Sequence, residues 1–384
     1  MLFRSDRELL NTLKTIWENV NSSKLYVTGA CGALYDGASP DGSSAQKSIA
    51  RIHQAYGRAY QLPNSSAHNE SCATIGNILW NWRMLQVTGD AKYADVLELA
   101  LYNGLLATVS LDGSSYFYTN TLRQLDRMPT ELRWSRARQP FISCYCCPPN
   151  VLRTIAQTQL YAYGKTNDGI WVHLYGSSQL RTVDDNGSPI ELVQETEYPW
   201  NGRIRIRILE SPKNAWTLRL RIPRWSTSGS LKVNGVLSTA ELLPGAYASI
   251  QQDWKAGDQI EIDLPMPIRL LESHPLVEET RNHVAIHRGP LVYCLESKDL
   301  PTRFTVMNSL ISADETFEPA PVAELPGVIA LRTKLLHGSS DDWHEELYRE
   351  RSRKPFEKVD SRLVPYYAWG NRGPSEMSVW LPAK

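Results

Sequence analysis

Two short stretches hold most of the chemistry this chain could perform. Glu70-Ser71-Cys72 and Cys144-Tyr145-Cys146-Cys147-Pro148-Pro149-Asn150 bring a carboxylate together with three or four thiolates. Zinc favours tetrahedral sets of sulfur, nitrogen and oxygen, and Glu70, Cys72, Cys146 and Cys147 complete one. Residues two apart on a regular helix diverge, so Glu70 and Cys72 can share an ion only if Glu70 sits in a loop or cap. Adjacent Cys146 and Cys147 call for a non-helical backbone, which the following proline pair favours by restricting the residue before it. The spacing is not the doubled CxxC signature, and it also fits a closed structural zinc or buried, inert thiols. The chain has six cysteines, enough for three disulfides. Cys144, Cys146 and Cys147 crowd together while Cys31, Cys72 and Cys294 are scattered, and crowding of that kind points to metal before disulfide.

The elements that must position these residues change character along the chain. Residues 6–17 place apolar side chains at three- and four-residue spacing after a Ser5 or Asp6 cap, which predicts a helix. Further helical patterns cover 72–85, 93–109 and 151–163, the last opening after Pro148-Pro149-Asn150. A Gly- and Ser-rich loop occupies 28–44. After about Gly164 the period becomes two, as in Arg203-Ile204-Arg205-Ile206-Arg207-Ile208 and Thr217-Leu218-Arg219-Leu220-Arg221-Ile222, which predicts half-buried strands. Asp185-Asn186-Gly187, Asn234-Gly235 and Ala256-Gly257-Asp258 mark turns between them. The expected organisation is α+β and multidomain: a helical part over 1–163, a β-sandwich over 164–272, and a second β-rich sandwich over 273–384 whose last strand returns to the fold. Four or five helical elements with such long loops cannot close a globule alone, so the sandwich must cover them or helical sequence is missing.

Lys and Arg number 41 against 41 Asp and Glu, without long runs of either sign. That excludes the usual footprint of a nucleic-acid or acidic-membrane partner and suits a neutral, polar substrate. Twelve Trp and eighteen Tyr against six Phe favour side chains with an apolar face and a hydrogen-bonding edge, as sugars require and β-sandwich cores also use. No stretch is long and apolar enough to span a bilayer, and Met1-Leu2-Phe3-Arg4 lacks a signal-peptide layout. A soluble protein of bacterial cytoplasmic or periplasmic type is expected.

Several motifs in order, Tyr26-Val27-Thr28-Gly29, Tyr60-Gln61-Leu62-Pro63-Asn64, Glu70-Ser71-Cys72-Ala73, Tyr102-Asn103-Gly104, Tyr116-Phe117-Tyr118 and Cys146-Cys147-Pro148-Pro149-Asn150, resemble the retaining β-L-arabinofuranosidases. The similarity continues through His287-Arg288-Gly289-Pro290-Leu291-Val292-Tyr293 and Pro365-Tyr366-Tyr367-Ala368-Trp369-Gly370-Asn371-Arg372-Gly373. The resemblance implies part of an (α/α)6 helical barrel followed by β-sandwich domains, Zn2+ held by Glu70, Cys72, Cys146 and Cys147, and Cys146 as nucleophile. Such chemistry is physically sound: a zinc-bound thiolate is nucleophilic at neutral pH and divides one hard displacement into two easier ones. It takes the place of one of the two carboxylates most retaining glycosidases use. The implied substrate is an arabinofuranose-containing oligosaccharide or glycan.

Two departures stand out. The implied barrel needs roughly twice the helical sequence found ahead of Tyr26, so a fragment is expected, with an exposed apolar face, a tendency to associate, and a homodimer as one outcome. The implied acid/base Glu falls on Gln54, and an amide cannot donate and recover a proton at neutral pH. Asp36, Asp41 and Glu98 are the nearby carboxylates that could substitute, each with a plainer reading as a turn-former or as a solvated or salt-bridged helix residue. Tyr118, Glu98 and His53 are the candidate substrate-binding residues, and His68 also flanks the motif region. The competing reading is an inactive fragment with a structural zinc site and a carbohydrate-binding role. A zinc hydrolase using bound water is disfavoured, because four protein ligands leave no open position.

Overall fold

The computed structural model describes residues 6–35, 52, 54–126, 132–338, 347–348, 350 and 355–384. Four α-helices lie among them. Helix α1, Arg7–Ser23, opens at Asp6, whose carboxylate accepts the Leu9 N–H at 2.8 Å. Helix α2, Ser71–Thr88, ends at Gly89, whose left-handed φ of 70° lets its N–H return to the Leu85 carbonyl. Helix α3, Ala91–Leu99, widens into a π turn, Ala100–Leu105, and closes in a 3-10 turn, Leu106–Thr108. Helix α4, Cys147–Gln157, continues as a 3-10 turn, Thr158–Tyr161.

Helix α4 begins earlier than its apolar period indicates, with Pro148 and Pro149 inside the first turn. A first turn has no use for its N–H groups, so the prolines start the helix instead of preceding it. Cys146, the cap, already has right-handed helical angles, φ −81° and ψ −51°. The expected non-helical backbone at Cys146 and Cys147 is therefore corrected. The two sulfurs meet across a helix start, where a cap and its neighbour need not diverge as they would along a full turn.

Beyond Tyr161 the described residues carry strands and single 3-10 turns, as the change of period predicts. A six-stranded sheet runs in the order Ser178–Val183, Pro189–Thr196, Arg203–Glu210, Gln259–Asp263, Ser230–Val233, Val236–Leu237. A four-stranded sheet runs Ala246–Gln252, Trp216–Ile222, Gly169–Val172, Tyr163–Thr166. Their inner faces share one core, in which Ile204, Ile206, Ile208, Ile260 and Ile262 meet Leu218 and Leu220. Each such buried aliphatic contributes about 1.5–3 kcal/mol relative to exposure. Asn234 and Gly235, at φ 50° and 80°, form the tight turn expected between strands.

The remaining strands form a ten-stranded sheet, in which Trp380–Pro382 returns to pair with His283–Arg288. The two-residue strand Arg123–Gln124, from the helical part, pairs with Met377–Ser378 at its edge. This sheet also grips the helical part side chain by side chain. Asn103, on the π turn, donates to Pro290 O at 2.9 Å and accepts from Val292 N at 2.8 Å. Trp369 donates to Asn120 Oδ1 at 3.0 Å, and Tyr366 to Thr121 O at 2.9 Å. Glu279 accepts both the backbone and side-chain amides of Asn64, at 2.7 and 3.3 Å. Tyr26 Oη donates to Pro63 O at 2.7 Å. Much of the motif pattern is thus joinery that seats the loop before Glu70.

Candidate metal centre

Glu70 caps helix α2 with extended angles, φ −64° and ψ 134°, while Cys72 is the second residue of that helix. The cap position is what lets two residues of one short motif face the same point. The start of α2 is stitched to the segment ahead of Thr119: Ser71 N donates to Tyr118 O at 3.0 Å and Ser71 Oγ to Phe117 O at 2.9 Å. From the other side, α4 brings Cys146 and Cys147. One ligand atom from each of Glu70, Cys72, Cys146 and Cys147 lies within 4.8 Å of the others.

The distances suit a shared cation. Tetrahedral zinc with Zn–S bonds of about 2.3 Å sets its sulfurs about 3.8 Å apart. Cys72 and Cys147 stand at 3.6 Å, Cys146 and Cys147 at 3.4 Å, and Cys146 Sγ is 3.9 Å from Glu70 Oε1. Electrostatics point the same way. Cys72 is lowered to about 6, first through its hydrogen bond with Cys147, against burial, and then through the Asn150 amide. Cys147 is driven far up by its hydrogen bond with Cys72 and by burial, and burial, with the Cys144 neighbour, raises Cys146 to about 12. Glu70 is lowered, first by its hydrogen bond with His68. Among the described residues no Lys or Arg forms an ion pair with these donors. Three sulfurs and a carboxylate at such distances repel one another as anions, and a divalent cation relieves that repulsion. The set can hold a metal ion.

Around the donors lie groups with distinct tasks. Gln54, at a left-handed φ of 58°, donates from Nε2 to Glu70 Oε2 at 3.0 Å and lies 3.5 Å from Tyr118 Oη. His68 Nε2 is 3.7 Å from the same carboxylate oxygen. Tyr118 stacks on Trp134 with ring centroids 3.8 Å apart, and His68 sits between the Tyr35 and Tyr118 rings. Asn150 Nδ2 donates to Cys72 Sγ at 3.1 Å, and Cys144 Sγ is 3.2 Å from Cys146 Sγ. All six cysteines are free thiols. The structure therefore brings together Gln54, Glu70, Cys72, Tyr118, Cys146 and Cys147. His53, Asp36 and Asp41 lie outside the described residues.

Glu98 is corrected. Its side chain is 2% exposed and faces the four-stranded sheet, where it pairs with the fully buried Arg221 and accepts Tyr198 Oη at 2.7 Å. A carboxylate committed to a buried guanidinium is neither a spare acid nor a sugar contact. Sequence reading missed Trp134, which carries no motif, and the separate task of Asn150, hidden inside the Cys-Cys-Pro-Pro-Asn run.

A helical part with a cysteine-rich donor set, docked on sheet-rich domains, defines the class, and the comparisons give the family. Family models for β-L-arabinofuranosidase match in succession: the GH127 catalytic domain over residues 1–160, the GH127 middle domain over 169–266 and the glycoside hydrolase family 127 C-terminal domain over 268–382. This chain belongs to the GH127 β-L-arabinofuranosidase family. It is 30% identical, over 98% of its length, to a non-reducing end β-L-arabinofuranosidase of Bifidobacterium longum, and covers 56% of that protein. A solved glycoside hydrolase superposes with a TM-score of 0.95 at 49% identity, over 99% of this chain and 63% of the other. A GH127 β-L-arabinofuranosidase from Geobacillus stearothermophilus T6 superposes with a TM-score of 0.85 at 34% identity, over 99% of this chain and 57% of the other. The chain thus spans between about half and two thirds of the relatives it matches. Its multidomain α+β fold matches theirs. No helix among the described residues is long and apolar enough to cross a membrane.

Proposed function

We propose that the chain carries the nucleophile of a retaining glycosidase that removes terminal β-L-arabinofuranosyl groups from oligosaccharides or glycans. The observation that carries this reading is the convergence of Glu70, Cys72, Cys146 and Cys147, with Cys147 sealed at 0% exposure and Cys146 partly open. Zinc held by those four residues supplies the positive charge that keeps the sulfurs deprotonated at neutral pH. The Cys146 sulfur donates its electron pair to the anomeric carbon as the bond to the aglycone oxygen breaks. Water then attacks the same carbon, the sulfur leaves with the bonding pair, and the proton shed by water restores the one taken up by the aglycone. Two inversions at one carbon give retention. Tyr118 is the sugar-facing group in this reading, and His53, outside the described residues, the second substrate-binding residue. The helices are part of an (α/α)6 barrel and the chain divides into 1–163, 164–272 and 273–384; the matched family ranges support that division.

Gln54 favours a second reading, a fragment whose zinc is structural and whose role is carbohydrate binding, because its amide supplies no proton to a departing alkoxide. An electrophilic arabinofuranose mimic separates the two. On zinc-loaded protein, peptide mapping is expected to place the label on Cys146 alone, since only a sugar pocket aligned with one sulfur gives such selectivity. A label on Cys31 or Cys294, or none with zinc retained, overturns the nucleophile and selects the structural reading. Gln54→Glu puts a second carboxyl beside Glu70, where mutual repulsion makes it hold a proton. Turnover of alkyl arabinofuranosides is then expected to rise by as much as ~100- to 10,000-fold, while aryl substrates with good leaving groups change far less.

A further inference from the structure

Four donors of similar chemistry converge, so something must decide which one reacts. Two amides already mark two of them. Gln54 donates to Glu70 Oε2 at 3.0 Å from a left-handed backbone that a non-glycine residue rarely adopts. Asn150 donates to Cys72 Sγ at 3.1 Å from the first turn of α4. The position of Asn150 is fixed by its own backbone, whose N–H reaches Cys146 O at 3.2 Å and whose carbonyl accepts Thr154 Oγ1 at 2.8 Å. The side chain is therefore free of helix duties and aimed at sulfur. Cys147 is closed off by burial. Cys146 is left, meeting the other sulfurs and Glu70 but no amide among the described residues.

We infer that Asn150 is a positioning residue: its amide holds Cys72 as an anchoring, unreactive ligand and thereby leaves Cys146 as the sulfur open to an electrophile. The inference rests on the metal and nucleophile reading above. Its physical basis is that an N–H donor withdraws electron density from a thiolate, and thiolate nucleophilicity falls with basicity. The same hydrogen bond fixes the direction of the sulfur lone pairs, as partners behind metal ligands generally do.

The test uses the zinc-loaded protein and two substitutions, Asn150→Leu, which keeps the volume without the donor, and Asn150→Ala. Three readouts are taken: metal affinity by chelator competition, alkylation by iodoacetamide mapped by mass spectrometry, and the thiolate-to-metal charge-transfer band after cobalt replacement. The wild type is expected to label at Cys146 and to protect Cys72. Both variants are expected to bind metal about 10- to 100-fold more weakly, to expose Cys72 to labelling alongside Cys146, and to shift the cobalt band to longer wavelength as the sulfur becomes more electron-rich. A packing role alone moves neither the band nor the labelling pattern in the Leu variant. Unchanged affinity, band and Cys72 protection in both variants overturn the inference while leaving the metal reading intact. A wild-type protein that binds no metal overturns that reading and this inference with it.

Discussion

Two polar clusters on neighbouring helices of this chain use similar residues to opposite ends. On α3, Asp95 and Glu98 face Arg221 of the strand Trp216–Ile222, with Tyr198 and Trp225 completing the shell around Glu98. At the starts of α2 and α4, Glu70 and three thiols face one another, with His68 beside Glu70 and no Lys or Arg ion pair among the described residues. The first cluster sets its two carboxylates on one buried guanidinium and is nearly closed to water. The second gathers a carboxylate and three thiols that could hold a metal ion and leaves Cys146 partly accessible. What separates the two is therefore a guanidinium in direct contact and access to solvent, and not the presence of carboxylates: Glu98 has the residue type of an acid and the surroundings of a structural tie.

Arg221→Ala is the strongest way to break that contrast. It strands Glu98 as a buried, unpaired charge between helix and sheet, which costs about 3–5 kcal/mol. Urea unfolding is expected to show that loss while zinc content per folded chain stays the same. A loss below about 1 kcal/mol means the ion network is not what joins α3 to the sandwich.

Cys72→Ser acts on the other cluster. Zinc affinity is expected to fall by more than about 100-fold, beyond what removing a partner behind a ligand costs. The melting temperature is expected to fall in zinc-containing buffer and to change little with chelator present. Equal melting temperatures of variant and wild type in zinc would show that these donors hold no ion.

Acid tests the chain through its buried histidines. His173, whose carbonyl accepts from Arg221, is lowered to about 3 by burial and then by that guanidinium. His287, in the C-terminal sheet, is lowered to about 3 by burial and then by Arg269. Both stay neutral in the folded chain but take up a proton on unfolding below their usual value near 6.5. Their contribution is fully present above about pH 6.5 and is lost as pH falls toward 3, at about 1.4 kcal/mol per pH unit for each. Stability measured in urea between pH 7 and 4.5 is expected to fall with that slope, and His173→Gln to make it shallower. An unaltered slope in that variant removes His173 from the account.

The sequence alone settled the parts of this protein that local physics governs. Apolar period told helix from strand on either side of Gly164, Asp6 was one of two caps offered for the first helix, and Asn234-Gly235 placed a hairpin turn. That Glu70, Cys72, Cys146 and Cys147 could converge was legible too, because Glu70-Ser71-Cys72 and Cys146-Cys147 are rare short patterns whose spacing limits where their atoms can go. Tertiary structure decided what depends on a partner distant in the chain. Arg221 alternates like a solvent-facing residue, and only the packing of α3 on that strand buries it and draws Glu98 away from the site. Asn150 reads as the end of a motif until the fold brings Cys72 within 3.1 Å of its amide. The reason is that periodicity reports which side of an element a residue faces, whereas what covers that side is set by distant chain segments, as Arg221 and Glu98 show across 123 residues.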